Sequence, residues 1–159
     1  METPTEANGF DAYLKRAGLD RKPHQFEAVD WCLDREHNGR RTGRLNANIK
    51  RGGLIADEMG LGKTIEILGT MAANRLKRTL IVVPLPLLDQ WAGAARRGGV
   101  FEPIIFHGLK KSRPSTEQLE KAEVVLTTYG TLVRSIDQLT TQTRCRIVCD
   151  EAHRLRNSQ

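Results

Sequence analysis

Lys63 and Thr64 close the run Gly52-Gly53-Leu54-Ile55-Ala56-Asp57-Glu58-Met59-Gly60-Leu61-Gly62-Lys63-Thr64, whose residue types suit a phosphate chain. Glycines at 60 and 62 let the backbone bend round an anion, so that successive N–H groups point inward. A helix opening at Lys63 would add the partial positive charge of its N-terminus. The Lys63 ammonium could then reach β- and γ-phosphates, and the Thr64 hydroxyl could ligate Mg²⁺. The general pattern G-x-x-x-x-G-K-[ST] would place its first glycine at 57, where this chain has Asp57. A second cluster, Asp150-Glu151-Ala152-His153, offers the carboxylates that such a site needs. Asp150 suits the metal, directly or through a water, and Glu151 suits the orientation and deprotonation of an attacking water. Each motif alone has a bland alternative: a chance Gly-Lys-Thr in a loop, or a solvated strand end. Together, each directly after an apolar run, they favour a nucleotide site.

Those residues need a frame that holds them at one edge. Short apolar runs over 54–56, 79–83, 103–106, 123–127 and 144–149 read as strands, most of them rich in β-branched residues and buried on both faces. Between them the apolar residues recur at helical spacing. Ile65, Leu68, Met71, Ala72 and Leu76 form one stripe; Leu87, Leu88, Trp91 and Ala95 form another, stopped by Gly98-Gly99; Leu132, Ile136 and Leu139 form a third. Ser115-Thr116-Glu117-Gln118 has the spacing of a capping box. Upstream, Phe10, Tyr13, Leu14 and Ala17 predict a helix ending at Gly18, and Pro23 opens another that carries Phe26, Val29 and Leu33. Residues 38–52 carry Arg40, Arg41, Arg44, Lys50 and Arg51 without an acid and read as a solvated loop. Strand alternating with helix predicts an α/β fold, a parallel sheet with helices on both faces. Ligands of such sheets sit beyond the carboxyl ends of the strands, where both motifs fall.

At 159 residues the chain suits one domain. A hydrophobic content of 39% with 28% charged residues excludes a disordered chain, and a net charge of +6 fits a polyanionic partner. No apolar run approaches a membrane span, and residues 1–8 are unlike a signal peptide. Three cysteines give no disulfide framework, which points to a reducing, intracellular compartment. Cys145 and Cys149 read as core thiols.

Asp57-Glu58-Met59-Gly60-Leu61-Gly62-Lys63-Thr64 together with Asp150-Glu151-Ala152-His153 resembles the sucrose-non-fermenting (SNF) type ATPases, DNA translocases of helicase superfamily two that include chromatin remodellers and repair proteins. Asp57 is what that family carries there, and Arg154-Leu155-Arg156-Asn157 continues its box. Pro23-His24-Gln25 with Trp31, Pro84 with Leu87, Gln90 and Trp91, Phe106-His107-Gly108 and Thr127-Thr128-Tyr129 look like four of its further segments. The match spans 22–157. It implies a RecA-like P-loop lobe over 22–159, preceded by an extension over 1–21, with ATP and Mg²⁺ as cofactors. Gln25 would read adenine with both faces of its amide. Asp57, Gly60, Leu61, Gly62, Lys63 and Thr64 would hold the phosphates, with Thr64 and Asp150 on the metal. Lys63, Asp150 and Glu151 would serve catalysis. Pro84, Thr127 and Thr128 would touch the phosphate backbone of double-stranded DNA, and His153 would couple nucleotide to DNA. Trp91 reads as core. A nuclear location follows for a eukaryotic host.

Part of the family's pattern is missing after the box: the next motif of the first lobe, and a second motor lobe with its arginine finger. A strand normally lying between the phosphate-loop strand and the Asp-Glu strand would also come later, so the sheet is expected to be incomplete at its C-terminal end. The chain by itself is therefore expected not to hydrolyse ATP at a useful rate. Two alternatives stay open: a lobe of an Asp-Glu-Ala-His RNA helicase, and a truncated nucleotide- or partner-binding remnant without turnover.

Overall fold

A computed structural model describes residues 6–42, 48–58, 60–140 and 145–153. The chain forms two compact units, Met1–Arg75 and Leu76–Gln159.

In the first unit, α1 (Glu6–Ala17) and α2 (Pro23–His37) both pack on α3 (Lys63–Ala73), the helix that begins at the phosphate-loop lysine. Helix α1 stops at Gly18, whose φ of +64° costs a glycine little. Its face of Phe10, Tyr13 and Leu14 is buried. Small residues set the approach to α3: a Cβ at Gly9 would lie 2.7 Å from the Ala72 carbonyl oxygen, and one at Gly69 would run into the Phe10 ring. Phe10 also meets Phe26 of α2 with ring centroids 4.6 Å apart. The stripe expected on α3 is therefore only part of its buried surface, since Glu66, Gly69 and Thr70 are buried beside Leu68 and Met71.

The stretch expected as a solvated loop contains an antiparallel pair, β1 (Arg40–Thr42) and β2 (Asn48–Lys50). The residues between them, Arg44 included, lie outside the described residues. Residues 54–56 form no strand, contrary to expectation, and Leu54 is 72% exposed. A lone extended segment gains nothing from β-branched or leucine side chains unless a ladder partner takes its amides, and no described strand does so.

The second unit is a four-stranded parallel sheet in the order β4-β5-β3-β6, from β3 (Thr79–Val83), β4 (Ile104–Phe106), β5 (Val124–Thr128) and β6 (Arg146–Cys149). Every residue of β3 and β5 is buried, as continuous apolar runs between helical layers should be. Leu80, Val82, Phe106 and Val125 form one core face with Leu119 of α5 (Thr116–Lys121) and Leu139 of α7 (Ile136–Thr140). Helix α4 (Leu88–Arg97), with Trp91, Ala92 and Ala95 buried, packs against β5. The third predicted helix is two, α6 (Tyr129–Arg134) and α7, separated at Ser135 where φ is −137°.

The capping box of α5 is present in both directions: Gln118 N–H donates to Ser115 Oγ at 3.2 Å, and Ser115 N–H to Gln118 Oε1 at 2.8 Å. Strand β6 pairs with β3 along one edge and, among the described residues, with no strand along the other. Cys32 is buried and Cys149 partly so, but Cys145 is exposed, against its expected place in the core. It precedes β6, where its N–H reaches back to the Arg78 carbonyl at 2.9 Å. No described helix is long and apolar enough to cross a membrane.

Candidate functional site

The loop expected to hold phosphate belongs to the first unit. Gly60 and Gly62 have φ of +90° and +98°, the left-handed region that L side chains avoid. Gly62 is doubly constrained, because a Cβ there would run into Gln25 Nε2. It is also the N-cap of α3, so the loop turns directly into the helix N-terminus, whose positive dipole end favours an anion. Lys63 Nζ donates to the carbonyl oxygens of Asp57 at 2.7 Å and Glu58 at 3.1 Å. These main-chain acceptors hold the ammonium across the loop, where a phosphate oxygen could replace either. Thr64 follows, half-buried in the first turn of α3.

Gln25 is buried, and its Nε2 donates to the Leu61 carbonyl at 3.0 Å. His24 Nε2 lies 3.1 Å from the same oxygen. Helix α2 thus pins the tip of the loop. One amide hydrogen of Gln25 is engaged by Leu61, which leaves its Oε1 and second hydrogen for any further recognition.

Glu66, in the first turn of α3, is a feature that spacing did not reveal. It is 0% exposed, and its pKa is raised from 4.5 to about 7. Burial is the main cause and the Asp57 carboxylate adds to it, while His24 and Lys63 oppose. The sign follows from linkage: between pH 4.5 and about 7 the folded chain holds a proton that the unfolded chain has released, so stability falls as pH rises through that window. Glu66→Gln should flatten this dependence and gain about 1–3 kcal/mol at pH 8 relative to wild type. Denaturant unfolding at pH 5 and pH 8 checks it; identical pH slopes in the two proteins would contradict the assignment.

The carboxylates belong to the second unit, at the carboxyl end of β6. Asp150 is held from four directions. Its N–H donates to the Val82 carbonyl at 2.9 Å, continuing the β3–β6 ladder. Its own carbonyl accepts the Tyr129 hydroxyl at 2.6 Å. Its Oδ2 accepts the indole N–H of Trp91 at 2.8 Å, and its Oδ1 the N–H of Glu151 at 3.0 Å. Each carboxylate oxygen keeps acceptor capacity for a metal-bound water. Glu151 has φ +52°, a left-handed conformation that costs a non-glycine residue about 1–2 kcal/mol and that recurs at functional sites. Its side chain is 46% exposed and lies 3.2 Å from Nδ1 of His153. Burial pushes the neighbouring Cys149 thiol up, away from thiolate character.

Three residues expected to touch DNA have internal hydrogen-bond partners. Thr127 is 0% exposed and donates its hydroxyl to the Phe106 carbonyl at 2.8 Å, tying β5 to β4. The Thr128 hydroxyl caps α6, accepting the Thr131 N–H at 3.3 Å, and lies 3.3 Å from His107 Nδ1. Pro84 is buried and accepts the Leu87 N–H at 2.9 Å. Thr127 thus gives its one hydroxyl hydrogen to β4, and Thr128 donates its own to Thr131 Oγ1 at 3.0 Å. Leu85, which follows Pro84, is 57% exposed. Trp91, expected in the core, is indeed buried, and its contact with Asp150 is one that no local pattern announces. Residues 154–157, the continuation of the Asp-Glu-Ala-His box, lie outside the described residues, as does Met59 of the loop.

Known proteins resemble this chain over most of its length. The family description "SNF2-related domain" matches residues 24–159. An ATP-dependent helicase of Schizosaccharomyces pombe is 37% identical over 141 residues, covering 83% of this chain and 12% of that protein. The human DNA repair and recombination protein RAD54B is 29% identical over 149 residues, covering 86% of this chain and 16% of its own length. Among solved structures, the Sulfolobus solfataricus SWI2/SNF2 ATPase core in complex with dsDNA superposes with a TM-score of 0.70 at 25% identity, covering 87% of this chain and 27% of that one. The chain thus spans well under a third of the length of each of these proteins.

Proposed function

We propose, since this chain belongs to the SNF2-related domain family, that it is the ATP-binding lobe of an ATP-dependent double-stranded-DNA translocase of the remodelling and repair class. The observation that carries the reading is the phosphate loop itself: glycines in the left-handed region at 60 and 62, an α-helix opening at Lys63, and the Lys63 ammonium stretched across the loop on main-chain carbonyls. Family membership implies ATP with Mg²⁺; an ammonium and helix-terminal N–H groups are of the kind that takes phosphate, and the Thr64 hydroxyl and the Asp150 carboxylate are each of the kind that takes the metal. When bound, Mg²⁺ would neutralise charge on the phosphates. Lys63 would bind and orient them, Asp150 would hold the metal side, and Glu151 would position a water and take its proton. Gln25 would recognise adenine through the amide edge that Leu61 leaves free. His153, in contact with Glu151, would relay between nucleotide and duplex.

The DNA side of the proposal calls for sequence-independent binding. The named threonines are internal, so the contacts would fall to exposed main chain and side chains around them, meeting phosphates rather than bases. Titration of the full chain with two unrelated duplexes at rising salt tests this. Equal affinities that fall steeply with salt are expected, whereas a strong sequence preference would contradict a translocase. Gln25→Ala should reduce the preference for ATP over GTP, read by competition binding. An unchanged ratio would remove Gln25 from base recognition and leave it as a loop anchor.

A further inference from the structure

We propose that Trp91 is a positioning residue for the Asp150 carboxylate, holding it in the orientation that metal binding needs. The proposal rests on the reading of Asp150 as the metal-side carboxylate. Trp91 lies on α4 and Asp150 at the end of β6, 59 residues apart in sequence, and the indole N–H donates to Oδ2 at 2.8 Å. The ring is 3% exposed, so packing fixes the direction of its N–H, and a buried indole must find an acceptor. A hydrogen bond from a locked donor to an ionised acceptor is short, directional and stronger than a neutral one.

The main chain of Asp150 is fixed independently, by the Val82 carbonyl and the Tyr129 hydroxyl. With the backbone set by those two and Oδ1 engaged by the Glu151 N–H, the Trp91 contact determines the rotation of the carboxylate about its last side-chain bond. A solvated strand end needs no such restraint. A carboxylate that must present an oxygen to a metal within a fraction of an ångström does, and outer hydrogen-bond partners are the usual means. The alternative is that Asp150 merely satisfies a buried indole, in which case the contact would serve stability alone.

The test compares ATP affinity with Mg²⁺ and with EDTA in the full chain, for wild type, Trp91→Phe, Asp150→Ala and the double variant. Trp91→Phe keeps an aromatic ring and removes the donor. The expected result is about a tenfold loss of affinity confined to the Mg²⁺ condition, with no further loss when Asp150 is already alanine. In wild type carrying Trp31→Phe, which isolates the single remaining indole, the Trp91 N–H should resist hydrogen exchange, and Asp150→Ala should release it. Equal losses with and without Mg²⁺, or no loss from Trp91→Phe where Asp150→Ala shows one, would overturn the positioning role while leaving the Asp150 assignment standing. No Mg²⁺-dependent loss from Asp150→Ala would sink the metal-side reading itself and this inference with it. If Trp91→Phe fails to fold, benzothienylalanine at position 91, isosteric with tryptophan but without the N–H, gives the same comparison.

Discussion

Mg-ATP should bind Lys63→Ala more weakly than wild type by about 2–4 kcal/mol, the range for losing a charge-assisted contact to a partly desolvated phosphate. The fold should tolerate the change, because Lys63 is half-buried and, among the described residues, its ammonium donates to the carbonyls of Asp57 and Glu58. Those carbonyls sit on an exposed stretch where water can take over the vacated bonds. Isothermal calorimetry on both proteins, with a thermal melt to show that each is folded, separates lost affinity from lost structure. Equal affinities would refute the phosphate role. Lys63→Arg should fall between the two, since it keeps the charge but cannot reproduce a point ammonium in a loop closed by Gly60 and Gly62.

Phe10→Ala should destabilise the first unit by about 3–5 kcal/mol, the cost of removing a fully buried aromatic ring. Phe10 is 0% exposed and packs against Phe26 and over Gly69 of α3. Against a total stability of about 5–15 kcal/mol for a typical domain, that loss would be conspicuous in denaturant unfolding. Gly69→Ala should also destabilise, because its Cβ would run into the Phe10 ring. The double variant should cost less than the sum, since removing the ring makes the room that the new methyl needs. Strict additivity would mean that α1 does not lie on α3 as described. A loss below about 1 kcal/mol for Phe10→Ala, in the range of surface substitutions, would say the same.

The extension over 1–21 gave no motif to read, yet α1 buries Phe10, Tyr13 and Leu14 in the unit that carries the phosphate loop. Its helical period was legible because period is a property of neighbouring residues. Its partner was not, because nothing in twelve residues of helix states which distant surface they will cover. Gly69 could have been a warning. A glycine inside a helical stripe weakens the helix unless something must come close, and here that is Phe10.

The same division runs through the site. Residue order alone made the local elements of the proposed site legible: glycines where φ is positive, a lysine at the opening of a helix, an acidic pair at the end of an apolar strand, and the capping box of α5. Each is encoded within a few residues, because glycine conformation, helix capping and strand burial act locally. Tertiary structure decided the rest. It left 54–56 without a ladder partner, so an apolar run that reads as a strand forms none. It buried the Thr127 hydroxyl against the Phe106 carbonyl, tying β5 to β4. It enclosed Glu66, raising the carboxyl to about 7, and it brought the Trp91 N–H to Asp150. Burial and long-range hydrogen bonds depend on which surfaces meet, and sequence spacing carries the period of a surface without naming the one that covers it.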